Sequence, residues 1–410
     1  MRVFGPGLIF AAAAVGVSHL VQSTRAGARF GLGLLALVVL ANLVKYPAFR
    51  FGAQYAVGTG HSLLEGYRRR GRPAIFLYGA LTVATMFTVQ AAVTAVTAGL
   101  AMATFGLSNL VLTSAVILGI CCALLILGSY EGLDRTVKLL VAAFSICTVL
   151  TTLMVLPSVD FGTILQWPAA TSENLFFMAA VFGWMPSAID VAAWQSLWTL
   201  ERMRRDGAAS LLLDFDVGYF GTAALAVCFL CLGAGLVYGQ GARLPDSAAG
   251  FSAAFVDLYA QTLGPWSRPV IGTAALTVML STTLTVLDGF PRAFAATVPL
   301  MGGGPSPSLE GAHASEARIR GLTIVGLALG ALVVIGTLAQ SLRALVDLAT
   351  TLSFLTAPVL SMLNHWAVTG PEVDPRYRPG PGLLTWSRLA ILLQAVFALA
   401  WILLRFGGGG

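Results

Sequence analysis

Charged side chains are scarce in this chain of 410 residues. They account for 10% of the sequence, whereas apolar residues account for 57%, and the mean hydropathy is +0.84. Such a composition excludes a soluble globular domain and indicates a polytopic membrane protein. Apolar runs recur along the whole length at roughly the 20 residues that a bilayer requires. We therefore expect a single integral membrane domain over residues 1–410, embedded in a lipid bilayer.

Residues that build catalytic, metal or nucleotide sites are also few. The five cysteines all lie within apolar runs, where they behave as small hydrophobic residues, and we expect no disulfide. The four histidines are scattered and form no metal-binding motif. No nucleotide-binding glycine motif is present, and the arginines lie in short loops rather than in a basic domain. These absences argue against an intramembrane enzyme, ATP-driven transport, a cofactor and a nucleic-acid partner.

The apolar runs predict eleven membrane spans. The segment 290–300 either extends the eighth span or forms a short surface helix, because Asp288 to Pro291 has the composition of a helix end. The expected bounds are about 5–27, 31–57, 73–104, 109–129, 135–157, 174–200, 210–238, 267–289, 319–339, 344–368 and 384–405.

Loop charges predict how these spans are oriented. If the N-terminus is inside, the inside segments hold fifteen Lys and Arg residues and the outside segments hold six. Positive residues accumulate on the cytoplasmic side of short loops. We therefore expect a cytoplasmic N-terminus and an outside C-terminus, in a cell inner membrane or plasma membrane.

The sixth span is interrupted at its centre, in the stretch from Phe182 to Asp190. Pro186 has no amide N–H and clashes with the preceding turn, and Gly183 lowers helix propensity. Asp190 is costly at bilayer depth unless it has a partner or a wet cavity. The stretch therefore predicts a broken helix, and broken helices mark transport sites in membrane proteins.

The first span has a matching interruption from Gly16 to His19. Spans 1–5, at about 5–157, and spans 6–10, at about 174–368, then form two five-helix repeats, and the helix at about 384–405 is extra. Because each repeat has an odd number of helices, the two run in opposite directions through the membrane. In such inverted repeats the substrate lies between the broken helices. Paired breaks favour alternating access over the fixed pore of a channel.

Two stretches of the chain resemble the NRAMP-type divalent metal ion transporter family. The first stretch, which runs from Gly5 to Ile9 through Ala26 to Gly31, resembles the first helix of that family, and the second, Met185-Pro186, resembles the Met-Pro-His motif of its sixth helix. The eleven-span layout with an inside N-terminus also matches. The resemblance implies an all-α, LeuT-like inverted repeat (5+5) plus an eleventh helix, with helices 1 and 6 broken. It also implies secondary active, proton-coupled transport of manganese or iron.

The motifs that hold the metal in that family are altered here. Gly16, Val17, Ser18 and His19 stand where the family has Asp-Pro-Gly-Asn, and Ser187 stands where it has the histidine of Met-Pro-His. In the family pattern, helix 1 supplies oxygen ligands and helix 6 a soft sulfur, a mixture that suits manganese and iron. The chain is thus identified as a divergent, NRAMP-related member with an altered metal site.

The candidate ligands of a substrate cation are Met185, Asp190, His19, Gly16 and Ser187. Met185 keeps the sulfur position of the family pattern, although methionine is more often a packing residue. Asp190 could replace the missing carboxylate, or it could cap the second half of the broken helix. His19 could cap the first break or take part in proton coupling. Gly16 supplies no side chain, and Ser187 offers a weak hydroxyl ligand.

Two further polar residues are candidates for coupling or gating, Lys45 in the second span and Gln90 in the third. A lysine at that depth is costly without a counter-charge. It could snorkel or pair near the cytoplasmic half, or it could pair with Asp190 and so weaken any divalent-cation site. Gln90 could line a path or serve a contact between helices.

These residues lead to one hypothesis with an alternative. The leading hypothesis is a secondary transporter related to the proton-coupled manganese and iron carriers, which moves a small inorganic cation with or without protons. The alternative is a relative that has lost transition-metal transport and moves another substrate, such as magnesium or a small organic solute.

Overall fold

The computed structural model describes residues 14–127, 131–207, 210–240, 244–303, 314–338 and 341–406. These residues form helices joined by short loops and turns, with no strand among them. Nine of the described helices are long and apolar enough to cross a membrane. Spans 2 to 5 are Leu35–Thr59, Arg72–Phe105, Leu110–Leu127 and Glu131–Val155, and spans 7 to 11 are Leu211–Leu236, Ser267–Met301, Ala314–Leu338, Leu342–Val368 and Pro381–Phe406.

Spans 1 and 6 are the discontinuous ones, as predicted. Span 6 consists of two half-helices, Ser172–Trp184 (6a) and Val191–Asp206 (6b). Met185, which precedes the proline, has extended backbone angles of φ −93° and ψ 116°, because the ring of a following proline disfavours the helical conformation. Span 1 bends at residues 15–16 and continues as a π-helical turn, Ser18–Ser23, into Thr24–Phe30. The start of span 1, including Gly5 to Ile9, lies outside the described residues.

The predicted end of span 8 at Asp288 to Pro291 is wrong. The helix continues through Pro291 to Met301, so the segment 290–300 extends the span. Neighbouring packing stabilises this part of the helix, because the Phe290 ring meets the Trp194 ring with centroids 4.6 Å apart. A proline inside a membrane helix is tolerated where neighbours compensate for the lost backbone hydrogen bond.

Two shorter helices were not predicted. Leu63–Arg70 lies between spans 2 and 3, and Ala248–Leu263 lies between spans 7 and 8. Each begins at a serine whose hydroxyl accepts a hydrogen bond from a backbone N–H of the first turn, Ser62 in one and Ser247 in the other. This is a common way for a helix to satisfy its free N–H groups. Both helices therefore have a start signal that is readable in the sequence.

The bundle has a peripheral layer that exposes apolar side chains and an interior that buries polar ones. Leu112 of span 4, Leu329 of span 9 and Leu403 of span 11 are 62%, 59% and 60% exposed. Side chains of this kind suit a surface in contact with lipid tails. By contrast, His19 and Lys45 are fully buried. The polar groups of the two breaks are therefore enclosed by the other spans.

Span 1 and span 7 pack closely enough that their backbones touch. A methyl group added at Gly27 would overlap the carbonyl oxygen of Leu230, and one added at Gly233 would overlap the carbonyl oxygen of Thr24. Small residues allow such close approach between helices in a membrane. This contact fixes the second half of span 1 against the body of the bundle.

Replacing Gly233 by alanine tests this contact. We expect Gly233→Ala to lower the free energy of unfolding by about 1–3 kcal/mol, because overpacking forces the two backbones apart. The matched control is Gly221→Ala in the same helix, where an added methyl group would meet open space. Thermal unfolding of the purified protein in detergent measures both. Equal melting temperatures for the two variants would contradict the close contact.

Candidate functional site

The two broken helices meet at their breaks. The Ser18 hydroxyl of span 1 lies 3.0 Å from the carbonyl oxygen of Pro186 in span 6. Its single proton is shared among this oxygen, the carbonyl oxygen of Ala14 and Nδ1 of His19. One turn further along, the Ser23 hydroxyl lies 3.9 Å from the sulfur of Met185. All these groups lie in the interior of the bundle. The arrangement joins the unwound backbone of span 6 directly to span 1.

A small cavity lies between the two breaks, with a volume of ≈ 30 Å³. This volume is enough for one water-sized ligand. Ser18 and Ser187 face it from the two breaks, Thr282 adds a third hydroxyl from span 8, and valine, alanine and aromatic side chains line the rest. The aromatic side chains that line it are Trp184, Trp194 and Phe290.

Met185 and Gly16 lie beside this cavity rather than among its lining residues. Met185 is fully buried, and its sulfur faces Ser23 of span 1. Gly16 allows span 1 to approach span 8, because an added methyl carbon would come within 2.9 Å of the Thr282 side chain. Its carbonyl oxygen accepts the backbone N–H of Leu20 at 2.9 Å. Gly16 therefore contributes backbone geometry to the break.

Asp190 faces span 3 and does not line the cavity between the breaks. Its carboxylate accepts a hydrogen bond from the Thr85 hydroxyl at 3.3 Å. Although Asp190 directly precedes half-helix 6b, its side chain makes no capping hydrogen bond. The Thr82 and Tyr78 hydroxyls lie at helical spacing on the same side of span 3, and the Tyr78 hydroxyl interacts with Thr82 and with Trp194. Asp190 thus belongs to a polar cluster with span 3.

His19 has both ring nitrogens engaged. Nε2 lies 3.0 Å from the carbonyl oxygen of Thr222 in span 7, and Nδ1 lies 2.8 Å from the Ser18 hydroxyl. Because a carbonyl oxygen can only accept, Nε2 carries the proton of the neutral ring, and Nδ1 is one of the acceptors that share the single Ser18 proton. The ring therefore joins span 1 to span 7, and neither nitrogen is free to bind a cation.

Lys45 reaches into the break of span 6. Its ammonium donates hydrogen bonds to the carbonyl oxygens of Gly183 at 2.6 Å and Ser187 at 3.3 Å, and it lies 5.7 Å from the ring centroid of Phe182. The side chain is fully buried. The expected snorkelling is wrong, and the direct ion pair with Asp190 is not formed. The positive charge instead sits on main-chain oxygens.

Gln90 is fully buried in span 3. Its amide nitrogen donates to the Thr94 hydroxyl at 3.0 Å, and its amide oxygen has no hydrogen-bond partner. Among the described residues, no three His, Cys, Asp or Glu side chains are grouped so that they could hold a metal ion. The polar groups at the breaks are therefore neutral apart from Lys45 and Asp190.

Sequence reasoning missed a set of ion pairs at the end of the bundle where half-helix 6a begins. Glu173 of 6a pairs with Arg29 of span 1 at 3.1 Å and with Arg343 of span 10 at 2.7 Å. Arg25 pairs with Asp246 at 3.2 Å. The sequence contains one indication of these ion pairs, because Arg25 and Arg29 are one helical turn apart and therefore lie on the same face of span 1. These pairs connect both broken helices to span 10.

Replacing Ser18 tests the hydrogen bond between the breaks. We expect Ser18→Ala to reduce the free energy of unfolding by about 1–3 kcal/mol, because the buried Pro186 carbonyl and Nδ1 of His19 lose the hydroxyl that they share. Ser145→Ala in span 5 is the control, since that hydroxyl bonds to Val141 of its own helix at 2.8 Å. Chemical or thermal unfolding in detergent gives the comparison. A Ser18→Ala protein as stable as the control would show that the bond contributes nothing.

The chain is similar to known proteins over nearly its whole length. An uncharacterized protein of Pasteurella multocida is 33% identical over an alignment of 420 residues, gaps included. The alignment covers 98% of this chain and 92% of that one. The solved structure of a mutant manganese transporter of Eremococcus coleocola has a TM-score of 0.72 at 14% identity and covers 100% of this chain and 88% of that one. MhsT in complex with L-phenylalanine has a TM-score of 0.64 at 15% identity, with 96% and 98% coverage.

These likenesses confirm the predicted fold, an all-helical LeuT-like arrangement with broken helices 1 and 6. A sequence model of the family described as "Natural resistance-associated macrophage protein-like" matches residues 7–401. The match spans both breaks and the last span, so it covers the whole candidate site. The chain is a multi-pass membrane protein that belongs to the Nramp family of transporters.

Proposed function

We propose that this protein is a secondary transporter of a divalent metal cation, manganese or iron, whose site lies between the breaks of spans 1 and 6. The observation that carries the proposal is the contact of the two breaks, in which Ser18 meets Pro186 and Ser23 meets Met185. Family membership supports the same substrate class. So does the fold shared with a protein named as a manganese transporter.

The proposed ligand set combines one soft sulfur with several oxygens. Met185 would supply the sulfur after a rotation of its side chain away from Ser23. Ser18 and Ser187 line the cavity and would supply hydroxyl oxygens, together with main-chain carbonyls freed by the breaks. A sulfur ligand favours manganese and iron over magnesium and calcium, which prefer oxygen alone.

The altered site is expected to bind a divalent cation more weakly than a site with an acidic ligand. The described residues at the cavity include no carboxylate, and the ammonium of Lys45 lies on the carbonyl groups of the same break. Both features disfavour an additional double positive charge. Transport is therefore expected to need a high concentration of metal ion.

A second candidate function follows from the same features. Trp184, Trp194 and Phe290 give the cavity an aromatic wall, and the nearby ammonium of Lys45 disfavours a divalent ion. These features support the alternative of a relative that has lost transition-metal transport and moves another substrate. Of the two substrates considered, magnesium and a small organic solute, they favour the solute. The fold shared with MhsT, whose solved structure contains L-phenylalanine, is consistent with an organic substrate.

We further propose a topology and a coupling route. In this topology the N-terminus is in the cytoplasm and the C-terminus outside, which the distribution of Lys and Arg supports, and the inverted repeats lie at about 5–157 and 174–368. Asp190 and Thr85 lie between half-helix 6b and span 3, away from the cavity. A carboxylate in that position is suited to bind a proton that accompanies the substrate, while Lys45 and Gln90 act in coupling or gating.

Uptake into liposomes tests the metal site. We expect the wild-type protein to move manganese and iron faster than magnesium, and Met185→Ala to reduce manganese flux at least tenfold by removing the sulfur ligand. Met178→Ala is the matched control, because Met178 is half-buried in the same half-helix but lies two turns before the break. Fluxes of all three metals equal to those of empty liposomes, with no binding by calorimetry, would contradict metal transport.

The same liposomes separate the two candidate functions. If metal fluxes are absent, uptake of radiolabelled amino acids and other small organic solutes is measured with the wild-type protein. Saturable solute uptake that Trp194→Ala abolishes would establish the second candidate. A protein that moves manganese but no organic solute would exclude it.

Substitution of Asp190 tests proton coupling. We expect Asp190→Asn to abolish accumulation of substrate driven by an inward proton gradient, while exchange of substrate across the membrane without a gradient continues. Asp257→Asn serves as the control, since Asp257 is only half-buried and pairs with Arg268 at 2.7 Å. Equal losses of driven accumulation and of exchange in Asp190→Asn would reduce Asp190 to a structural residue.

A further inference from the structure

The fully buried ammonium of Lys45 occupies a position with the chemistry of a cation-binding site. It is bonded to two main-chain carbonyl oxygens, from Gly183 before the break and from Ser187 after it. The face of the Phe182 ring also lies close to it, at 5.7 Å. Carbonyl oxygens and an aromatic face are the groups that attract a positive ion in an apolar interior.

The position of Gly183 at the end of half-helix 6a also resembles a cation-binding site. Gly183 belongs to the last turn of half-helix 6a, where carbonyl groups have no partner within the helix and the helix dipole is negative. In transporters with broken helices, unwound carbonyls and the C-terminal ends of half-helices coordinate sodium ions or protons. Lys45 thus satisfies the groups that a free monovalent cation would otherwise satisfy.

Close packing also fixes the position of Lys45 relative to half-helix 6b. Gly52, two turns after Lys45 in span 2, packs against half-helix 6b so closely that an added methyl group would overlap the carbonyl oxygen of Ala192. Span 2 and half-helix 6b therefore touch at their backbones. Asp190 is near enough to attract the ammonium electrostatically, but it makes no direct contact with it.

We propose that Lys45 is a tethered monovalent cation in the break of span 6. It removes any requirement for sodium or potassium ions at this position in the wild-type protein. When the lysine is replaced by a neutral residue, the carbonyls of Gly183 and Ser187 bind a free monovalent cation instead. Lys45 has this role at the Gly183 and Ser187 carbonyl oxygens whether the substrate is a metal ion or an organic solute.

Thermal unfolding in detergent tests the inference in sodium, potassium and choline chloride at constant ionic strength. The melting temperatures of the wild type and of Lys45→Arg are expected to be the same in all three salts. Lys45→Met is expected to melt several degrees lower than the wild type in choline. Sodium or potassium should recover most of that loss, with a rise that follows the logarithm of the cation concentration.

Equal melting temperatures of Lys45→Met in the three salts would overturn the proposal. Stabilisation of this variant by manganese chloride alone would overturn it too, because the site would then select a divalent ion. If Lys45→Met cannot be purified, Lys45→Ala replaces it, since it also leaves the Gly183 and Ser187 carbonyl oxygens without a donor and open to a free ion. If neither neutral variant folds in any of the salts, a free ion does not substitute for the lysine and the proposal fails.

The experiment is independent of the substrate assigned above. It measures unfolding in the absence of transport. A negative result therefore does not change what the metal fluxes show about the substrate. A positive result remains valid if the liposomes carry no metal. In that case sodium-independent uptake of an organic solute by the wild type is expected.

Discussion

The structure depends on how the backbone groups released by the break in span 6 are satisfied. Inside a membrane protein an unpaired carbonyl costs several kcal/mol, roughly the strength of the hydrogen bond it lacks. Span 1 supplies the Ser18 hydroxyl to Pro186, and span 2 supplies the Lys45 ammonium to Gly183 and Ser187. The break is therefore stable only with both neighbours in place, which explains why spans 1, 2 and 6 form one unit.

The same constraint shapes the chemistry of the site. Hydroxyl groups and a lysine satisfy the carbonyls that the break releases from helical hydrogen bonds. None of these groups supplies the negative charge that an acidic ligand would offer to a metal ion. The acid of this region, Asp190, is bonded to Thr85 of span 3, outside the cavity. Asp190 is therefore engaged with span 3 rather than with the cavity lining. The chain shares the helical architecture of its family.

The sequence alone was sufficient to locate both breaks, because glycine and proline act on the local backbone wherever they occur. It could not show the direction in which Asp190 points. That direction depends on how half-helix 6b is rotated, and close packing such as Gly52 against Ala192 sets the rotation. The sequence could not show the partners of Lys45 either, because every residue has a main-chain carbonyl and the sequence does not indicate which of them lies near the lysine. His19 was expected at the cavity, but the Thr222 carbonyl turns its ring toward span 7.

Anomalous X-ray diffraction from crystals grown with manganese locates the metal without reference to transport. One anomalous peak is expected between the two breaks, in contact with the sulfur of Met185 and close to the Ser18 and Ser187 hydroxyls. A peak beside Asp190 and Thr85, with none between the breaks, would contradict the proposed site.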